Sequence, residues 1–452
     1  MITSYDGSIV TDPQRVVSPG DVGELQEILR DTDRYPGPVR AMGSFHSLTP
    51  CAASTGTVVR MERFDRVLRI DRRAMTVTAE AGLQLRHLGG ALRKEGLQLM
   101  LNIEIGNATI GSLACCHSKD AMDGVELGQV SSYVTGVKWV DPSGSLQEAS
   151  EASNPDLLYL LRSSYGLAGV IYEVTFRIKP LEIIKFDYEL HDTRALTQAQ
   201  IESTVRANQA MVCWTIGHTT VIQTRNQAER LQRAWLIKMR HLAWTQAGAW
   251  VGRNIRRHTP AGPIRNVVES AWLGSQKLVF GGLSAVGGFS FYAPDKTMNY
   301  KETPPSARYA FTFWAFPFDR FADNLKAYLD FADDHFKRTG FRCNMPLGSY
   351  FVKRDASSVL SYTQDGDVIS IDPIHAYWAE DDAEWFRFLR EFNAWSFERG
   401  GLPLINQSPF VERAHVVAAY GSRWEQFTDW VAQVDPSQRM RNEFFTSLLE
   451  EG

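Results

Sequence analysis

The chain lacks most of what would mark an extracellular, membrane-spanning or nucleic-acid-binding protein. Its 452 residues hold five cysteines (Cys51, Cys115, Cys116, Cys213 and Cys343), an odd number with no CxxC pair. No His/Cys cluster stands at zinc-ligand spacing, so neither a disulfide framework nor a structural metal is expected. A reducing compartment, the cytoplasm, suits this composition best. No apolar run reaches the roughly 20 residues that a membrane span needs, and Met1–Pro13 lacks the basic-then-apolar pattern of a signal peptide. The formal net charge of −4 excludes a uniformly basic nucleic-acid binder. Neither GxGxxG nor GxxxxGK[ST] occurs, which removes the two commonest phosphate-binding turns.

The chain does have an ordinary globular composition, 44% hydrophobic and 22% charged, in a length beyond one ordinary core. Residues 14–30 read as a strand, a Ser18-Pro19-Gly20 turn and a helix with Val22, Leu25, Ile28 and Leu29 on one face. Further strands are expected at Val39–Met42, Thr57–Arg60, Val67–Ile70 and Met75–Glu80, then a helix at Leu85–Glu95 closed by Gly96. A hairpin turns at Asp141-Pro142-Ser143-Gly144, a helix begins at Pro155, and Val170–Ile178 reads as a closing strand. The character changes after Leu181. Residues 184–224 read as strands, Phe318–Thr339 and Asp381–Arg399 as helices among strands, and 414–452 as helical. The whole is an α+β chain divided at 1–182, 183–405 and 406–452.

Four segments of the first 180 residues concentrate glycine beside small polar or titratable residues. The first is Arg40-Ala41-Met42-Gly43-Ser44-Phe45-His46-Ser47, which leaves a strand. A neutral imidazole is a competent nucleophile near neutral pH, because its ordinary pKa is about 6.5. Alone, His46 reads first as a histidine that satisfies a loop carbonyl. The second segment is Thr76–Gly82 followed by a helix and Gly96-Leu97. The third is Gly106–Ser118, with Thr109, Gly111, Ser112, Cys116 and His117. The fourth is Ser163–Val174, with Gly166, Gly169, Val170 and Ile171. Such loops bring backbone N–H groups close to a phosphate or a ring without Cβ interference.

In this order the segments resemble the cofactor loops of vanillyl-alcohol-oxidase-type (PCMH-type) flavoproteins, most of all the aldonolactone and alditol oxidase branch. The resemblance implies an FAD-binding domain of two α/β subdomains at 1–182. It implies a cap at 183–405 with an antiparallel sheet flanked by helices, and a C-terminal segment that returns to the first domain. It implies FAD held by Arg40, Met42, Gly43, Ser44, Phe45, His46, Ser47, Gly106, Thr109, Gly111, Ser112, Cys116, His117, Gly166, Gly169, Val170 and Ile171, with His46 bonded to the flavin 8α-methyl carbon. Phe45 replaces the glycine that precedes the histidine in that branch. Asn107 falls near the position of the second linking cysteine of some relatives, so a double link is not expected, and Cys115 and Cys116 read as packing residues. The tail Asp435–Phe445 also resembles the end of the sugar-oxidase branch.

The cap departs further. Gly400–Gln407 aligns with a G-G-R-P-H-W-G-K segment of that branch, and Gln407 stands where its lysine would be. No Glu-x-Arg pair is evident. Tyr350 is the expected base, Lys353 or Arg354 the expected cation near the flavin, and Gln407 and His117 complete the candidate catalytic set. Leu402, Leu404 and Ile405 replace polar positions, which reads either as a more apolar pocket or as core packing. The implied activity is removal of a hydride from the C–OH carbon of a small-molecule alcohol, sugar-derived or more apolar, with dioxygen as acceptor. Ile103 falls near the oxygen-access position, where bulk would hinder dioxygen. The alternative is a membrane-surface dehydrogenase of a hydrophobic alcohol that passes electrons to a quinone, and a third reading is flavin binding without turnover. Residues 225–265 hold nine Lys/Arg against Glu229, with Leu231, Trp235, Met239 and Leu242 at helical spacing. That pattern fits an interfacial helix on anionic lipid, a lid for an anionic substrate, or a cap helix that packs its stripe. The oligomeric state stays open.

Overall fold

The computed structural model describes residues 1–118, 126–260, 262–292, 309–378 and 383–450. Strands β1 (Arg15–Val17), β2 (Val39–Met42) and β3 (Thr57–Arg60) form a small parallel sheet with β3 in the middle. Helix α1 (Val22–Arg30) crosses between β1 and β2 and is capped by the Asp21 carboxylate, which accepts from the Glu24 N–H. It buries Leu25, Ile28 and Leu29, the face its spacing marks out.

A second, antiparallel sheet is built from β4 (Val67–Asp71), β5 (Thr76–Glu80), β6 (Leu97–Leu99), β7 (Val134–Val140), β8 (Leu146–Ser150) and β9 (Val170–Pro180). The strand order is β8-β7-β9-β5-β4, and β6 pairs with the far end of β9. The β7–β8 hairpin closes through the Asp141 carboxylate, which accepts from the Ser143 and Ser145 N–H groups. Helices α2 (Leu85–Lys94), α3 (Ile110–Cys115) and α4 (Pro155–Leu161) accompany this sheet.

The rest of the chain supplies an eight-stranded antiparallel sheet. Its strands are β10 (Ile183–Asp192), β11 (Ala210–Ile216), β12 (Thr219–Ala228), β13 (Phe289–Tyr292), β14 (Trp314–Pro317), β15 (Leu347–Val352), β16 (Val368–Ile371) and β17 (Leu402–Pro403). They run in the order β13-β10-β12-β11-β15-β16-β14-β17. All seven residues of β11 are buried, as a central strand covered on both faces requires. Helices α5 (Gln198–Ala207), α6 (Trp235–His241), α7 (Ala249–His258), α8 (Pro263–Val286), α9 (Phe321–Thr339) and α10 (Ala383–Glu398) flank it, and a π-helical turn at Leu242–Gly248 joins α6 to α7. Helices α11 (Arg413–Tyr420), α12 (Ser422–Val434) and α13 (Glu443–Leu449) complete the chain.

The C-terminal segment packs on the first sheet. Arg439 donates to the carbonyls of Ile28, Leu29 and Tyr35, and Asn442 to those of Pro50 and Ala53.

Three local readings change. Helix α5 replaces part of the expected strand run 184–224: Thr197 and Gln200 form a capping box, and Ile201 alone is fully buried, so the apolar pattern there is faint. The helix expected from Phe318 starts at Phe321 after a 3-10 turn, and the expected start at Asp381 lies outside the described residues. Leu231, Trp235, Met239 and Leu242 do not pack as a stripe; they are 44%, 63%, 53% and 50% exposed.

Candidate functional site

The first glycine loop leaves β2 and meets the third. A Cβ on Gly43 would lie 2.3 Å from the Thr109 hydroxyl, so only glycine permits this approach. The Ser44 hydroxyl donates to the Asn107 carbonyl. Phe45, the residue in place of the branch's glycine, has φ +50°. The loop thus keeps the left-handed turn a glycine would give, and the Phe45 ring holds it by packing against Met42 and Val58. The Phe45 carbonyl accepts from the Tyr5 N–H at 2.9 Å. The Tyr5 ring stacks on His46 with centroids 4.2 Å apart.

Backbone bonds stitch the second and third segments together. The Gly111 N–H donates to the Ala81 carbonyl at 2.7 Å, Ile110 to Leu83 at 2.9 Å, and Leu85 to Ala108 at 2.8 Å. The fourth loop joins them through Tyr165 N–H to the Cys115 carbonyl at 2.9 Å. Gly169 has φ +125°, and a Cβ there would sit 2.1 Å from the Val140 carbonyl.

Arg40 fastens the loops from beneath. Its buried guanidinium donates to the carbonyls of Cys51 (2.7 Å), Tyr165 (2.5 Å), Gly166 (3.3 Å) and Met440 (2.9 Å). It therefore serves the first loop, the fourth loop and the C-terminal segment together.

The loops line a cleft of about 1130 Å³, part of it open to solvent, with Arg40, Met42, Gly43, Ser44, Phe45, His46, Ser47, Thr109, Gly111, Ser112, Cys116, His117, Gly166, Gly169, Ile171 and Gln407 from the expected set on its walls. Gly106 and Val170 line neither this cavity nor its neighbour. The Gly106 carbonyl accepts from Arg86 N–H at the start of α2, and Val170 is fully buried in its sheet. Sequence reading missed Ile105 and Asn406 as lining residues of this cavity. Asn406, beside Gln407, was the one with a signal.

A second cavity of about 870 Å³ adjoins the first and shares His46, Ile103, Ile105, Ser118, Phe311 and Gln407 with it. Its other walls are Tyr5, Leu48, Glu104, Trp214, Tyr309, Tyr350, Asp372 and Ile374. Apolar side chains dominate, with carboxylates at Glu104 and Asp372. Glu104 is paired with Arg240 at 3.0 Å and Arg225 at 3.6 Å. Asp372 accepts from the Ser370 hydroxyl at 3.0 Å and is 1% exposed. Both acids stand alone in apolar runs, Leu-Asn-Ile-Glu-Ile and Val-Ile-Ser-Ile-Asp-Pro-Ile. That isolation was the available signal for them.

The catalytic candidates separate. Tyr350, on β15, lines the second cavity, and burial raises its phenol well above the ordinary range, so it stays protonated and donates. Gln407 lines both cavities. His117 is fully buried, with Nδ1 3.2 Å from the Tyr165 hydroxyl and Nε2 2.8 Å from the Ser358 hydroxyl. Burial lowers its pKa to about 3, so a neutral imidazole is tied at both nitrogens. Lys353 and Arg354 are exposed and line neither cavity. Leu404 and Ile405 are fully buried and also line neither; the apolar wall of the second cavity comes from other residues.

The lining fits FAD. Besides the glycine cradle, the buried polar atoms Asn406 Oδ1, Gln407 Oε1 and Ser118 Oγ have no hydrogen-bond partner among the described residues, and all three residues line the cavity. Comparison with known proteins agrees. Residues 13–150 match the family described as FAD binding domain. Over its length the chain shares its fold with a solved oxidase structure. Cholesterol oxidase from B. sterolicum superposes with TM-score 0.76 at 14% identity, covering 96% of this chain and 94% of that one.

Among curated proteins the chain is 30% identical to L-gulonolactone oxidase of Mus musculus over 168 residues, 37% of this chain and 38% of that protein. It is 30% identical to L-gulono-1,4-lactone dehydrogenase of Mycobacterium tuberculosis over 195 residues, 42% of this chain and 43% of that protein. The chain thus spans about two fifths of the length of these relatives.

Proposed function

We propose that the protein is an FAD-dependent oxidoreductase that removes a hydride from the C–OH carbon of an alcohol with a largely apolar body. The carrying observation is the shared wall: His46, Ile103, Ile105, Ser118, Phe311 and Gln407 belong both to the cavity cradled by the glycine loops and to the apolar one beside it. FAD bound in the first supplies a hydride acceptor at the boundary with the second.

Apolar walls at Ile103, Ile105, Trp214, Phe311 and Ile374 exclude water from the alcohol. Asp372 is the proton acceptor for its hydroxyl, because Glu104 is held by two arginines and Tyr350 keeps its proton. Tyr350 donates to the substrate oxygen and positions it. Gln407 and Asn406 offer neutral amides to the flavin edge where the relatives of the branch use a lysine. His46, on the wall that both cavities share, is the residue that would carry a covalent link to FAD.

Dioxygen is the acceptor in this reading. Two observations favour the second reading, transfer to a quinone: Ile103 stands at the junction of the cavities, and exposed apolar helices flank the cap. An odd number of cysteines without a CxxC pair suits the cytoplasm. Among the described residues no helix is long and apolar enough to cross a membrane.

Acid precipitation of the purified protein tests the link. A yellow wild-type pellet and a colourless His46→Ala pellet are expected; a colourless wild-type pellet refutes the bond. Anaerobic bleaching of the flavin by an apolar alcohol, lost in Asp372→Asn, tests the turnover. Hydrogen peroxide on readmission of air supports dioxygen, and its absence supports the quinone.

A further inference from the structure

A third cavity, of about 830 Å³, lies between the π-helical turn after α6 and helix α8. Ala243, Ala247 and Gly248 line one side and Trp272, Gln276, Val279, Phe280 and Leu283 the other. Trp214 belongs both to this cavity and to the one beside the flavin loops. Its indole is edge-on to Tyr350 at 6.0 Å and stacked on Phe280 at 6.4 Å, with Nε1 fixed on Gln223 at 3.0 Å. Trp214 is therefore a side chain that the two chambers share. At the other end the chamber reaches the surface, because Val279 lines it and is 48% exposed.

That surface is unusual for this molecule. Exposed apolar side chains gather on the same helices: Trp235 and Met239 on α6, Trp250 on α7, and Ile264, Val267 and Leu278 on α8, from 53% to 77% exposed. Ile264, Val267, Ala271 and Leu278 share one face of α8 by their spacing, and all four are exposed. A contiguous apolar face of this kind marks an interaction site. Its charge selects the partner. Residues 230–287 carry nine Lys/Arg and one acid, Glu269, which is buried. Arg230, Arg233, Lys238, Arg257 and Lys277 are exposed. Bulky apolar side chains interleaved with exposed cations suit an anionic lipid surface.

We propose that the exposed faces of α6, α7 and α8 seat on anionic lipid, and that the chamber between the π-helical turn and α8 takes the apolar tail of the alcohol, which runs along Trp214, the side chain this chamber shares with the one beside the flavin loops. This rests on the oxidoreductase reading and extends it to a substrate class: an amphipathic alcohol taken from a lipid surface.

Two measurements on the FAD-loaded protein test it. In the first, the protein is sedimented with vesicles of phosphatidylcholine alone or with phosphatidylglycerol added. It is expected to sediment only with the anionic vesicles. The exposed-site variant Trp235→Glu/Met239→Glu/Leu278→Glu, checked for unchanged flavin colour, is expected to stay in solution. Failure of the wild type to sediment overturns the surface. In the second, butanol and octanol are titrated anaerobically against the flavin absorbance. Octanol is expected to bind more tightly, by roughly fourfold per methylene that enters the chamber. Ala247→Trp, at an exposed chamber wall, is expected to abolish that gain and leave butanol unaffected. Equal affinity for both alcohols, or a gain that Ala247→Trp leaves intact, overturns the chamber. A yellow protein that fails both tests keeps the flavin reading and loses this one; a colourless protein loses the flavin reading and, with it, the tail chamber that rests on it, whether or not it sediments.

Discussion

The two sides of the site are made in different ways. On the flavin side, position is set by backbone: Gly111 to Ala81, Ile110 to Leu83, Tyr165 to Cys115, and one guanidinium under four carbonyls. On the cap side it is set by side chains, with Trp214, Phe311, Ile374, Tyr350 and Asp372 drawn from strands and loops far apart in the chain. A backbone-built cradle tolerates little change and is written in glycines. A side-chain-built chamber can be relined without altering the frame, and the cap is where this chain departs from the branch it resembles.

The largest effect that would break this contrast is expected at Arg40. Arg40→Met leaves the carbonyls of Cys51, Tyr165 and Met440 buried without their donor. At about 1–3 kcal/mol for each unsatisfied group, the loss is about 3 kcal/mol or more, read as a lower urea midpoint together with lost FAD. Retained FAD and an unchanged midpoint would show that the loops do not depend on this clamp.

A middle-sized effect is expected from acid. The His117 pKa in the folded protein is about 3, below the ordinary value of about 6.5. A depressed pKa means that the unfolded chain takes up a proton the folded one refuses. The stability from keeping His117 neutral is therefore complete above about pH 6.5 and lost as pH falls toward the folded value, about 2 kcal/mol of it by roughly pH 5. His117→Gln should flatten the fall in melting temperature between neutral pH and about pH 5. A slope identical to wild type would remove His117 from the account.

The smallest effect sharpens the contrast. Phe45→Gly relaxes a left-handed residue, worth about 1–2 kcal/mol, but deletes a ring packed on Met42 and Val58. The ring's loss, about 3–5 kcal/mol for a buried Phe, outweighs the relief, and a net destabilisation of at least about 1 kcal/mol is expected, with flavin colour retained. Loss of colour would mean that the ring, not the turn, shapes the loop.

The same contrast explains what the sequence made legible. The glycines at 43, 166 and 169 stand where steric contact forbids a Cβ or φ is positive. Such positions leave a local mark, so the cradle is legible in the sequence. Val39–Met42, Thr57–Arg60 and Val134–Val140 were legible for a similar reason, as short apolar runs ended by turn residues. The second cavity left no such mark. Trp214, Tyr309 and Asp372 meet only through sheet pairing across distant segments, and no local pattern encodes that. Lys353 shows the cost of reading by proximity in sequence: three residues beyond Tyr350, it is exposed on the surface. The stripe on α6 shows another limit, since helical spacing marks an apolar face but not what covers it.

The return of the C-terminal segment has a consequence for biosynthesis. The Val39 N–H bonds to the Arg439 carbonyl, Arg40 to Met440, and Asn442 closes on Pro50 and Ala53. The strand that launches the His46 loop thus waits for residues made some four hundred positions later. A chain that stops short of these residues holds every glycine of the cradle and still lacks the segment that fastens its first strand, so flavin loading waits for residues 439–442.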